Sequence, residues 1–94
     1  MAVLKSDVSQ HAGVFKANGA YHKKLVDDLN SLLAQKAEGG SEKARRKHTD
    51  RGKLLVRERI DKLVDDGAPF LEFSALAAHG RYGEEVPAAG SVTG

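Results

Sequence analysis

The run RGKLLVRERIDKLVDD, residues 51–66, constrains this chain more than any other stretch. It opens with Gly52 between two cations and continues with the spacing of a short amphipathic helix. Val56, Ile60, Leu63 and Val64 stand at i, i+4, i+7 and i+8, so a helix places them on one face. Arg57 with Asp61 and Glu58 with Lys62 are opposite charges four residues apart on the other side, each pair worth roughly 0.2–0.5 kcal/mol to a helix. Gly67 can take the left-handed conformation that ends helices, and Pro69 blocks continuation.

Upstream, the helix signals are of two kinds. Residues 1–14 show no sustained period and read as a leader. From Asn18-Gly19 to about Lys36 a helix is expected, its apolar stripe formed by Tyr21, Leu25, Leu29, Leu32 and Leu33 with Val26 beside it. Such a helix is not stable alone and has to dock onto something. Gly39-Gly40 ends it, and Ser41 is a good N-cap for a second short helix from Glu42 to about Thr49. Residues 50–53 form a turn around Gly52. After Pro69, the alternation of Phe70, Leu71, Glu72 and Phe73 reads as a strand, and residues 91–93 as the start of a second. Residues 79–89, with Gly80, Gly83 and Pro87, read as a surface loop.

Charge is distributed unevenly. Residues 42–59 hold eight Lys/Arg against three Asp/Glu, a local charge of +5, whereas residues 60–94 hold two against six, or −4. The positive charge is confined to one segment, which points to an anionic partner there. Guanidinium groups bind phosphate oxygens bidentately and lysine serves as a mobile point charge. The chain has no cysteine, hence no disulfide framework or thiolate site. No apolar stretch approaches membrane-span length, so a soluble, cytoplasmic protein without a membrane partner is expected. His11, His22, His48 and His79 are too scattered for a local metal site. No nucleophile elbow, Walker loop or dinucleotide fingerprint occurs, so no catalytic or metal residue is assigned.

The same stretch, with the preceding GGSEKARRKHTD, resembles the opening of the carboxyltransferase (beta) subunits of biotin-dependent acyl-CoA carboxylases, in particular the 3-methylcrotonyl-CoA branch. That family reads approximately E-x-A-R-x-[RLK]-H-x-x-R-G-K-L-L-P-R-E-R-[IV]. Glu42, Ala44, Arg45, Lys47, His48, Arg51, Gly52, Lys53, Leu54, Leu55, Arg57, Glu58, Arg59 and Ile60 match it. Val56 stands where the family has proline or alanine, which removes a residue pre-set for the first helical turn.

The resemblance implies an α+β fold: N-terminal helices leading into the first strands of a crotonase-like (ClpP/crotonase) carboxyltransferase domain, incomplete in this chain. Residues 1–40 would be leader and docking helix, and residues 41–94 the basic helical segment and first strands. It implies carboxyl transfer from carboxybiotin to an acyl-CoA, with 3-methylcrotonyl-CoA favoured and propionyl-, acetyl- or geranyl-CoA left open. Biotin would be carried by a biotin carboxylase/biotin carrier alpha subunit, and the beta subunits would form a hexamer. The oxyanion holes would lie downstream, leaving this stretch inactive alone. Arg45, Lys47, Arg51 and Lys53 are the candidates for the CoA phosphates. Arg57 and Arg59 are expected on a solvated helix face with Glu58 and Asp61 as partners, and His48 is expected to brace the turn. A different reading is a small basic helical module gripping nucleic acid. Against it, residues 41–59 contain no aromatic side chain on which a base could stack.

Overall fold

The computed structural model describes residues 2–84 and 86–94. Three helices, α1 (Gly13–Ala37), α2 (Glu42–Thr49) and α3 (Val56–Leu63), are followed by two short 3-10 turns at Tyr82–Glu84 and Pro87–Gly90. The chain divides into two compact units, one ending at Asn30 and the other comprising Ser31–Gly94.

The first unit is the leader and most of α1. The helix begins at Gly13, five residues before the expected Asn18. A turn in which the Ala12 N–H meets the Ser9 carbonyl at 3.2 Å prepares this start, and the Lys16 N–H reaches the Ala12 carbonyl at 3.1 Å. Gly19 therefore lies inside the helix, where it costs about 1 kcal/mol relative to alanine but does not break it. Lys23 with Asp27 and Lys24 with Asp28 close i, i+4 ion pairs at 2.7 Å on the outer face. Across the helix, Tyr21, Leu25, Val26 and Leu29 remain exposed. Tyr21 meets the neighbouring His22 ring edge-on, 5.7 Å between centroids.

The second unit is held by polar contacts more than by an apolar core. Among the described residues only Ala88 and Lys36 are buried, each 5% exposed. The organising side chain is Arg57, on the first turn of α3. Its Nη2 and Nε donate to both carboxylate oxygens of Glu72, at 2.6 and 3.1 Å. Its Nη1 donates to the carbonyls of Lys36 and Ala37, at 3.1 and 3.2 Å. The last carbonyls of a helix have no intrahelical partner, so a cation there satisfies both charge and hydrogen bonding. One guanidinium thus ties the end of α1 to α3 and to the segment around Glu72. The expected Arg57–Asp61 pairing gives way to this arrangement because the fork geometry is met in full by Glu72 and not by a neighbour on the same helix. Glu58 likewise turns back, its Oε2 accepting the Leu55 N–H at 2.8 Å, which caps α3 where leucine has no side chain to do so.

Helix α3 is shorter than its pattern. Val64 leaves the helix with ψ 157°, so Ile60 and Val64 are half-buried while Leu63 is 84% exposed. Gly67, with φ +75°, serves a separate turn in which the Ala68 N–H meets the Asp65 carbonyl at 2.9 Å.

The expected strands at residues 70–73 and 91–93 are not formed as strands, so the α+β expectation is not met by the described residues. What remains is one antiparallel bridge, Phe73 with Thr93. The Phe73 N–H donates to the Thr93 carbonyl at 2.7 Å, and Thr93 Oγ1 donates back to the Phe73 carbonyl at 3.1 Å. Ser74 turns to φ +57° immediately afterwards, which ends the extended run. Two short segments without a third neighbour make a marginal pairing, and here it stops after one bridge.

These features predict opposite effects for two glycines. Gly19→Ala should raise helical ellipticity, because nothing stands within 4 Å of the new methyl group. Gly39→Ala should lower it and loosen the helix end, since Gly39 sits at φ +95° where an L side chain costs about 1–2 kcal/mol. Circular dichroism of the two variants checks both signs. With so little buried, the chain alone should melt broadly, and a sharp transition would contradict this description.

Candidate anion-binding face

Helix α2 and the turn after it carry the concentrated positive charge. Ser41 caps the helix, its Oγ accepting the Ala44 N–H at 3.3 Å. Glu42 lies in the first turn, and Arg46, Lys47 and His48 lie in the last. Each sign therefore stands where the helix dipole favours it. Thr49 Oγ1 donates to the carbonyls of Arg45 and Arg46 at 3.2 and 3.1 Å, tightening the final turn. The chain then reverses at Gly52, φ +74°, whose N–H meets the Thr49 carbonyl at 2.8 Å. His48 braces this reversal with Nε2 at 2.8 Å from the Leu54 carbonyl. A carbonyl can only accept, so Nε2 carries the proton in that contact.

Two turns of helix leave α2 with two different faces. The inner face carries Ala44, Arg45 and His48, and with Gly39, Gly40, Leu54 and Leu55 it lines a small concavity. Arg45 is half-buried there. Its Nη1 stands 3.3 Å from Glu38 Oε2, and its aliphatic stem passes close to Gly39. Its Nε is sealed from solvent without a hydrogen-bond partner. The outer face carries Lys43, Arg46, Lys47 and Asp50 at i, i+3, i+4 and i+7, and Arg51 continues it across the turn. With Glu42 these residues line one open groove, and all of them are exposed. Lys53 is exposed beyond the reversal.

Of the four cations singled out from the sequence, Lys47 and Arg51 are therefore brought together, Lys53 stands beyond Gly52, and Arg45 faces the other way. Lys43 and Arg46 join the outer face by helical periodicity, a signal available in the sequence once the bounds of α2 are fixed. Among the described residues no group of three or more His, Cys, Asp or Glu is placed to hold a metal ion. No described helix is long and apolar enough to cross a membrane. Removing Arg45 should disturb the corner: Arg45→Ala is expected to shift the backbone amide resonances of Gly39 and Gly40, whereas Lys47→Ala leaves them in place. Equal shifts from both would refute the two-faced arrangement.

No family model matches the chain. Individual relatives do. It is 58% identical over 73 residues, 78% of its length, to the biotin-dependent 3-methylcrotonyl-coenzyme A carboxylase beta1 subunit of Mycobacterium tuberculosis. It is 49% identical over 90 residues, 96% of its length, to a probable mitochondrial methylcrotonoyl-CoA carboxylase beta chain of Drosophila melanogaster. The mitochondrial methylcrotonoyl-CoA carboxylase beta chain of Arabidopsis thaliana is 37% identical over the full 94 residues. The chain spans only 14–16% of the length of these three relatives. Over the residues it has, the chain belongs to the family of beta (carboxyltransferase) subunits of biotin-dependent acyl-CoA carboxylases, and it resembles the methylcrotonoyl-CoA members of that family.

Proposed function

We propose that this chain is part of a carboxyltransferase subunit that moves a carboxyl group from carboxybiotin to an acyl-CoA, with 3-methylcrotonyl-CoA as the acceptor. The observation that carries the proposal is the 58% identity to a 3-methylcrotonyl-coenzyme A carboxylase beta subunit, across most of this chain. A biotin-carrying alpha subunit would be the partner and further beta subunits the assembly mates. A crotonase-like core, to which the helices and the Phe73–Thr93 bridge would be the approach, would supply the chemistry.

That chemistry asks for stabilised negative charge on an enolate and on the ureido oxygen of biotin, which paired backbone N–H donors supply well. The side chains described here suit a different task. Lys47, Arg51 and Lys53 are exposed and stand open to the phosphates of coenzyme A, while Arg45 is engaged with Glu38. Positive charge beside the mouth of an acyl-CoA site would raise the local concentration of the anionic substrate and hold its distal end. Lys47, Arg51 and Lys53 would thus bind substrate and take no part in bond making.

The test is carboxylation by a full-length beta chain that carries this segment, assembled with its biotinylated partner. Fixation of labelled bicarbonate should be fastest with 3-methylcrotonyl-CoA and slower with propionyl-CoA or acetyl-CoA. Faster carboxylation of a saturated acyl-CoA would overturn the substrate assignment, and no fixation with any acyl-CoA would overturn the function. Lys47→Ala/Arg51→Ala should raise KM for the acyl-CoA several-fold and leave kcat near its original value, the signature of lost ground-state binding.

A further inference from the structure

We infer that the outer face of α2 binds a compact diphosphate, and that Lys43 and Arg46 are as much part of that site as Lys47 and Arg51. The inference deepens the acyl-CoA reading above and rests on it for the identity of the natural ligand. Its own basis is the geometry of the face. Lys43, Arg46 and Lys47 stand at i, i+3 and i+4, where side chains start about 5–6 Å apart. Arg51, past the turn, lines the same groove. None of these four cations takes part in an ion pair recorded among the described residues, in contrast to Arg45 with Glu38 and Arg57 with Glu72.

The ends of the groove decide the size of the ligand. Glu42 lines it at the start of α2 and Asp50 at its end. An extended polyanion laid along the helix would pass both carboxylates and be repelled by them. A diphosphate spans about the distance from Lys43 to Lys47, roughly 6 Å of helix rise, and sits between the two acids. Arg46 and Arg51 can each present a planar fork to phosphate oxygens, and the two lysines add mobile point charges. Arg45 is excluded because its guanidinium lies on the inner face, with Nη1 on Glu38 and Nε sealed from solvent.

The experiment titrates the 94-residue chain with inorganic pyrophosphate and follows backbone amide shifts of α2. The expected result is saturable shifts along α2, weakened about tenfold in Lys43→Gln/Arg46→Gln and unchanged in Lys62→Gln, an exposed lysine on α3. Circular dichroism on each variant confirms that α2 persists. If Lys43→Gln/Arg46→Gln binds pyrophosphate as the parent does, the site is not this face. If a single-stranded oligonucleotide binds more tightly than pyrophosphate and through the same residues, the face takes extended polyanions and the inference fails. The outcomes separate from those of the carboxylation assay. Pyrophosphate binding with no carboxylation by the full-length enzyme defeats the acyl-CoA reading alone, and carboxylation without pyrophosphate binding here defeats this inference alone.

Discussion

Arg57 meets four acceptor atoms from two other parts of the chain, and the arrangement of residues 31–94 depends on that meeting. Four of its five N–H donors are shared between the Glu72 carboxylate and the two carbonyls that α1 leaves open at its end. Both side chains of the ion pair are mostly buried, 22% and 23% exposed, so the interaction is less screened than a surface pair. Removing either partner would leave the other charge half-buried and unpaired, which is the costly case for such pairs. With Ala88 the one buried apolar residue among the described residues, residues 31–94 gain their specific geometry from contacts of this kind.

Parts of this were readable from the residues alone. Ser41, Gly39-Gly40 and the acidic-to-basic order of α2 gave its bounds, since caps and dipoles act locally. The partner of Arg57 is not readable by local rules, because Glu72 lies fifteen residues away and Asp61 already stands at i+4. One signal did exist: Glu72 is the sole acid between Gly67 and Gly83, set among apolar neighbours, where an unpaired carboxylate would be expensive. The strands at 70–73 and 91–93 show the opposite failure. Alternation fixes which residues could pair, but a ladder also needs neighbouring strands, and the described residues provide one bridge only.

The candidate site is legible in the sequence as a region, and the helix then sorts its residues by direction. Counting cations gives a basic stretch from 42 to 59, but a count has no sense of direction. Once α2 is a helix, Arg45 and His48 turn toward the 37–40 corner and the Leu54 carbonyl, while Lys43, Arg46 and Lys47 turn away. Two of the matching residues in the family-like motif, Arg45 and Arg57, thus have structural partners in Glu38 and Glu72. That division gives the motif two physical meanings. Part of it closes the corner between helices, and part of it stays exposed on the outer face of α2 and the turn after it.

Glu72 and the end of α1 hold the Arg57 guanidinium in one orientation. Nitrogen-resolved NMR of the arginine side chains tests it directly. A guanidinium fixed by four hydrogen bonds rotates slowly about Nε–Cζ, so Arg57 should give separate Nη–H signals that merge when Glu72 is replaced by glutamine. A single averaged Nη signal for Arg57 in the parent chain, like that of a free surface arginine, would show that the guanidinium is not held.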